Sequence, residues 1–292
     1  MKAWKTKAER GSAWLIRLIA WLARTAGRRF SRVLLYPIVL YFVITDPVAR
    51  RGSAEFLKVA RGRPAQWTDV FAHIHSFAAT LLDRVYMASG EFHRFEITIA
   101  GASLVTEALK GGKGCLLLGS HLGSFDLMAL ANEALAHQPI SILMRQDPRS
   151  RVRRIAGIDD SPSTIIALGH PDSFLRAYEV LERGGLLAAL ADRVDGEGAS
   201  LSASFFDRPT LFPLGPHVLA ARAGSPILMC FGLYEGGSHY RIEFIPFGAA
   251  VDKSCRGAEL QPVVDRYAAL LEQYARRYPL NWFNLYPYWS AR

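Results

Sequence analysis

From residue 95 onward the chain alternates, and that alternation restricts its fold more than any other feature. Seven short apolar runs are strand candidates: Phe95–Ile99, Cys115–Leu118, Ile140–Met144, Thr164–Leu168, Leu186–Ala191, Ile227–Leu233 and Tyr240–Phe244. Helical segments fall between them at 103–110, 126–136, 149–156, 172–183 and 216–223, and a last helix covers 258–277. Runs such as Cys115–Leu118 are apolar at every position, as strands are when both faces of a sheet are covered. Alternation of this kind predicts an α/β fold: a mostly parallel central sheet flanked by helices. The chain of 292 residues is long enough to bury a substantial core, as one large domain or one domain with an appendage.

The first third reads differently. Residues 54–88 are helical by the 3–4 spacing of Val70, Phe71, Ile74, Phe77, Leu81, Leu82 and Val85. Ahead of them lies most of the charge. The net charge is +9, yet residues 1–32 hold nine Lys/Arg against the single Glu9, a net of +8. By residue 63 the running sum is +11, which leaves −2 for residues 64–292. Charge confined to one end argues against a nucleic-acid partner and for an anionic membrane surface. Arg10, Arg17, Arg24 and Arg28 form one helical stripe beside Trp14, Leu15, Leu18, Ile19, Trp21 and Leu22, the pattern of a helix lying in the interface. Val33–Ile44 follows without a charge. As a helix it is only about 18 Å long against a hydrocarbon core of about 30 Å, so it is expected to dip into one leaflet. An ordinary amphipathic helix packed on the domain is the plainer alternative. No Ala-x-Ala site follows, and Arg17 and Arg24 interrupt the first apolar stretch, so no cleaved signal peptide is expected. The expected division is a membrane-binding segment over 1–50 and an α/β domain over 51–292. Cys115, Cys230 and Cys255 form no CxxC pair and read as free thiols in a reducing compartment, without structural zinc.

The chemistry-bearing turn is Gly119-Ser120-His121-Leu122-Gly123-Ser124-Phe125-Asp126. On one continuous helix a five-residue step rotates about 500°, so His121 and Asp126 would point apart. They converge if His121 sits on the loop at the strand end and Asp126 opens the next helix. The carboxylate then takes the Nδ1 proton and leaves Nε2 as a general base. Open α/β sheets put their sites at such strand ends. A capped helix start beside a surface histidine fits the same residues. His73 and His75 stand at i, i+2 and cannot share a ligand on one helix face, so no metal site is expected.

Further segments follow the turn in order: Leu143-Met144-Arg145-Gln146-Asp147-Pro148, Leu190-Ala191-Asp192-Arg193-Val194-Asp195-Gly196, Phe205 through Pro216, and Pro279 through Tyr286. The ordered set resembles the lysophospholipid acyltransferase superfamily and, within it, the bacterial lipid A biosynthesis acyltransferases, over most of the chain. The resemblance implies transfer of a fatty acyl group from an acyl thioester, carried on acyl-carrier protein or coenzyme A, to a hydroxyl or amine of a lipid acceptor. The implied place is the cytoplasmic face of the inner membrane, and the thioester is a co-substrate, with no cofactor. His121 would deprotonate the acceptor and Asp126, often Glu in the family, would orient it. Substrate contacts are implied for Gly123, Ser124, Phe125, Arg145, Arg149, Asp192 and Arg193. The ending Asn281-Trp282-Phe283-Asn284-Leu285-Tyr286 departs from the Trp/His/Arg-rich ending of the lipid A enzymes and looks more like the branch associated with aryl polyenes and other specialised bacterial lipids.

The chemistry agrees. A thioester is already activated, so a base and an oxyanion stabiliser suffice. The amides around Gly123 and Ser124 at a helix N-terminus are candidates for that stabiliser, and Arg145 is another, against a plain loop arginine. The basic run Arg149, Arg151, Arg153 and Arg154 reads as a phosphate-docking patch or as a solvated helix face. Two other classes remain. A serine-type lipid hydrolase or thioesterase would use Ser120 or Ser124, although the turn puts histidine where a nucleophile elbow needs serine. A non-catalytic membrane and carrier-protein binding module would use His121 and Asp126 only as a helix cap.

Overall fold

The computed structural model describes residues 12–124, 127, 138–145, 164–194, 198–248 and 252–289. They fall into two compact units.

The first unit joins three N-terminal helices to the C-terminal segment from Tyr278. Helix α1 (Ser12–Thr45) is broken at Gly27, whose φ of 76° suits a residue without Cβ. Helix α2 (Pro47–Arg61) starts where the Asp46 carboxylate accepts the amides of Val48 and Ala49, with Pro47 at its first turn. It ends at Gly62, so the helix expected over 54–88 is two helices, and α3 (Trp67–Ala88) restarts after Pro64. Leu35, Val39 and Val43 recur every four residues on α1 and are buried; Val39 and Val43 pack with Val70 and Ile74 of α3, and Leu285 covers them. Arg28 was expected in the outward basic stripe. It instead forms a bidentate pair with the fully buried Asp83, Nε to Oδ1 at 2.8 Å and Nη2 to Oδ2 at 3.0 Å, and lies 5.0 Å from the Phe95 ring. Arg32 adds a contact to Asp83 at 3.6 Å. A buried carboxylate needs such partners, and these pin α1 to α3.

His73 clips the C-terminal segment in place. Its Nε2 donates to the Trp282 carbonyl at 3.0 Å, which leaves Nδ1 to accept the Ser53 hydroxyl at 2.8 Å. The backbone of Tyr286 approaches α2 so closely that a Cβ on Gly52 would lie 2.4 Å from it. The boundary expected at residue 50 therefore lies inside this helical unit.

The second unit holds a seven-stranded sheet in the order β1-β9-β8-β2-β5-β3-β4. The strands are β1 (Glu96–Ala100), β2 (Cys115–Gly119), β3 (Ile140–Arg145), β4 (Thr164–Leu168), β5 (Leu186–Leu190), β8 (Ile227–Gly236) and β9 (His239–Pro246). All neighbours run parallel except β8 and β9. Each expected apolar run is one of these strands. Helices α4 (Ala102–Leu109), α5 (Ser173–Glu182), α6 (Gly215–Ala223) and α7 (Gln261–Arg277) also match their expected positions. The helices expected over 126–136 and 149–156 lie outside the described residues.

One element was not anticipated: an antiparallel hairpin of β6 (Ser200–Phe205) and β7 (Arg208–Pro213). Pro209 and Pro213 weaken the strand signal of its second arm, since proline cannot donate to a ladder. Its two-residue turn puts Phe206 and Asp207 at φ of 54° and 56°, unfavourable for side chains of this size. Helix α7 holds it there: Glu272 accepts the Phe206 amide at 2.5 Å and the Arg276 guanidinium lies 4.6 Å from the Phe206 ring.

Candidate active site

The register of two neighbouring strands builds the site. Gly119, the last residue of β2, pairs with Leu190, the last of β5. Two residues further along each chain stand His121 and Asp192. Their side chains meet, with His121 Nδ1 2.8 Å from Asp192 Oδ1. Asp192 is fully buried while the His121 side chain is 36% exposed, so the pair has a dry end and a wet end. Burial alone would push the Asp192 carboxyl up. The charge and hydrogen bond of His121, with the Arg193 guanidinium 3.9 Å from Oδ2, outweigh it and hold the group at about 2.

The turn that carries His121 is held on both sides. Gly119 O accepts the Ala191 amide at 3.2 Å and the Tyr267 hydroxyl at 2.9 Å. The Ser120 hydroxyl accepts the Leu122 amide at 3.2 Å. Beyond the histidine the chain bridges to β8: Ser124 N donates to Gly232 O at 2.7 Å. Glycine is required at both crossing points. A Cβ on Gly123, whose φ is 78°, would lie 2.1 Å from Gly232 O, and one on Gly232 would lie 2.2 Å from Ser124 O.

This geometry revises two expectations. The Ser124 amide is committed to Gly232, so it does not point at a reacting carbonyl. The acid on Nδ1 of His121 is Asp192, to which the resemblance gave only a substrate-positioning role. Asp126, Phe125 and Arg149 lie outside the described residues, as do Arg151, Arg153 and Arg154. Arg145 is exposed at the end of β3, and β3 neighbours β5; Arg193 follows Asp192 directly. Ser120 and Ser124 are both 2% exposed, so neither is presented as a nucleophile. Among the described residues no group of three His, Cys, Asp or Glu could hold a metal ion. Asp192 was missed as a partner because 71 residues separate it from His121. The available signal was positional: each residue follows a wholly apolar run by the same short step.

The mostly parallel sheet carries the polar pair just beyond the C-terminal ends of two neighbouring strands, and the sequence places this α/β protein among the lipid acyltransferases. The chain belongs to the bacterial lipid A biosynthesis acyltransferase family, whose sequence model matches residues 75–291. It is similar to the phosphatidylinositol mannoside acyltransferases of two Mycobacterium tuberculosis strains, 25% identical over 231 residues, which cover 77% of this chain and 67% of each relative.

Proposed function

We propose that this acyltransferase moves a fatty acyl group from an acyl thioester, on acyl-carrier protein or coenzyme A, to a hydroxyl or amine of a lipid acceptor, with His121 as general base. The observation that carries the reading is the 2.8 Å contact between His121 Nδ1 and the buried Asp192 carboxylate. A carboxylate only accepts, so Nδ1 holds the proton and Nε2 presents a lone pair. Nε2 takes the acceptor's proton as its oxygen or nitrogen bonds to the thioester carbon. The carbonyl becomes an oxyanion; its collapse breaks the carbon–sulfur bond, and the imidazolium returns the proton to the departing thiolate. Asp192 keeps the tautomer and stabilises the imidazolium. Asp126 remains a supporting acid by resemblance. Arg145 and Arg193, at the ends of β3 and β5, supply positive charge for the oxyanion or for phosphate on the donor.

Helix α1 supports a seat on the cytoplasmic face of the inner membrane. Phe30, Val33, Tyr36, Leu40, Tyr41 and Ile44 lie on one face of it and are exposed, Val33 and Ile44 at 64%. A continuous exposed apolar face of this kind marks a membrane or partner surface. Arg50 Nη1 caps the Val43 and Ile44 carbonyls at 2.7 and 3.1 Å, which satisfies helix-end groups at that face. No single helix among the described residues is long and apolar enough to cross a membrane, although residues 27–45 and α2, bent by 95°, pass the length and composition test together. A shallow interfacial seat fits both facts. Exposed Arg29 and the net charge of +8 over residues 1–32 favour a surface with anionic headgroups.

The test is lipid mass spectrometry of cells with and without the protein, paired with purified enzyme supplied with C16 acyl-carrier protein or C16 acyl-coenzyme A. An acylated lipid that appears with wild type and is lost in His121→Ala supports the reading. It also identifies the acceptor, whether a phosphatidylinositol mannoside, as in the names of the mycobacterial relatives, or a specialised lipid of the aryl-polyene kind. Release of free fatty acid alone would point to a hydrolase, and unchanged function in His121→Ala to a binding module.

A further inference from the structure

We infer that Tyr267, on the far helix α7, is a positioning residue for the His121–Asp192 pair, setting the aim of the histidine through the carbonyl that ends β2. Tyr267 is fully buried, and its hydroxyl donates to Gly119 O at 2.9 Å across 148 residues of sequence. The same oxygen accepts the Ala191 amide at 3.2 Å. Gly119 stands two residues before His121 and Ala191 one before Asp192. One carbonyl oxygen therefore joins α7 to both chain segments that carry the pair.

The peptide plane is rigid, so fixing its oxygen fixes its tilt. Only the few soft dihedrals between Gly119 and His121 then remain to set the ring. The downstream side of the turn is closed by the Ser120 hydroxyl on the Leu122 amide and by Ser124 N on Gly232 O. The upstream side depends on the two donors at Gly119. The phenol ring is itself held edge-on, by Phe212 at 5.6 Å and 78° and by His217 at 5.8 Å and 79°. Phe212 belongs to the β6–β7 hairpin, which Glu272 and Arg276 of the same helix clasp. The hydroxyl is thus delivered to the strand end by a braced ring.

Helix α7 also carries its own control. Tyr274 donates to Glu243 Oε1 at 2.8 Å and its ring lies 4.7 Å from Phe231. It has the same kind of bond on the same helix, but the bond ends on a side chain of β9, two strands from β2, and touches no backbone group of the His121 turn. Removing either hydroxyl deletes one hydrogen bond, and the stability cost is the larger for Tyr274→Phe, because Glu243 Oε2 is already buried without a hydrogen-bond partner among the described residues and Oε1 then loses its donor. Only Tyr267→Phe loosens the histidine. Gly119 O keeps the Ala191 amide in that variant, so no buried acceptor is orphaned and the fold survives.

A misplacement of about 1 Å at a reacting group costs up to about 10²-fold, and a loosened turn should cost roughly a tenth of that penalty's ceiling, about tenfold in kcat, with KM for the acyl donor within about twofold. The kinetic consequence rests on the acyltransferase reading above; the geometric one does not. Two measurements are made on the full-length protein in detergent for wild type, Tyr267→Phe and Tyr274→Phe. The first is kcat and KM with C16 acyl thioester. The second is the Nδ1–H proton resonance of His121, assigned by its loss in His121→Ala. The expected result is a displaced or broadened Nδ1–H signal and a lower kcat in Tyr267→Phe alone, with Tyr274→Phe melting no higher than Tyr267→Phe, so that a loss of stability by itself does not account for the difference. Equal kcat and an unmoved Nδ1–H signal in Tyr267→Phe overturn the inference. If wild type transfers no acyl group, the functional reading fails, and the resonance still decides whether Tyr267 positions the ring.

Discussion

Replacing Asp192 by Asn tests the centre of the site with little change in shape. The carboxylate is fully buried and lies 2.8 Å from His121 Nδ1. When Nε2 takes a proton, the charge centres of the ring and the carboxylate are about 4 Å apart, an attraction of about 4 kcal/mol at an effective dielectric of about 20. The 36% exposure of the histidine side chain admits solvent screening and lowers that figure. About 3–4 kcal/mol of imidazolium stabilisation is lost, which corresponds to roughly 10²–10³-fold in kcat. An asparagine that turns its NH₂ toward Nδ1 would also reverse the tautomer, moving the loss toward the upper end. Stability should fall by up to about 2 kcal/mol at neutral pH, because the fold favours the ionised carboxylate, whereas the amide keeps only the volume and a hydrogen bond. The assay is single-turnover acyl transfer from a labelled C16 thioester to host membrane lipids, with circular dichroism and melting to match the folded fraction. A rate within about threefold of wild type would refute the assignment of Asp192 to the ring and return that role to Asp126. Parallel measurement of Asp126→Asn shows whether the two acids share it.

Three other outcomes are expected. Gly123→Ala forces a Cβ against Gly232 O and keeps an unfavourable φ of 78°, so unfolding free energy should fall by about 2–4 kcal/mol, read by urea denaturation; a loss below about 0.5 kcal/mol would show that the crossing is loose. Burial holds His73 and His217 at about 4, against 6.5 for an ordinary histidine. Because the unfolded chain binds these protons first, the associated stability is complete above pH 6.5 and is lost as pH falls toward 4, by about 3 kcal/mol per histidine; a flat melting profile from pH 7 to 4.5 would contradict the neutral buried rings. Val33→Glu with Ile44→Glu alters only the exposed face of α1, so melting should be unchanged while flotation with anionic vesicles falls at least tenfold; undiminished flotation would place the membrane contact elsewhere. This pair is preferable to deleting residues 1–45, which would strip Val39 and Val43 from α3 and leave the Asp83 carboxylate without Arg28.

Much of the fold was legible in the sequence because a covered parallel strand has a local signature. Leu116, Leu117 and Leu118 are buried on both faces of the sheet, so no polar residue interrupts them, and the same holds for Leu186 through Ala189. Helix punctuation is local too, in Asp46 with Pro47 and in Gly62 and Gly224 at helix ends, yet the apolar spacing over 54–88 hid the break at Gly62 and Pro64. The β6–β7 hairpin was hidden because two prolines masked its second arm, and its glycine-free turn is stabilised by α7 rather than by its own residues. Likewise no periodicity could show that Arg28 turns inward, since a basic stripe looks the same whether it meets lipid headgroups or a buried Asp83.

The site divides along the same line. His121, its small-residue turn and its place at a strand end are properties of a dozen consecutive residues, and the chain alone determined them. Which acid reaches Nδ1 depends on which strand lies beside β2, and strand order is set by packing of the whole sheet. Once β5 is inserted there with Gly119 opposite Leu190, the equal two-residue steps bring His121 within reach of Asp192. The committed amide of Ser124 and the hydroxyl of Tyr267 on Gly119 O follow from β8 and α7 closing on the same turn. Local sequence decides what a backbone segment can be. Only tertiary contacts across 71 or 148 residues decide which groups share a proton or hold a carbonyl, because those contacts depend on neighbours the segment itself does not encode.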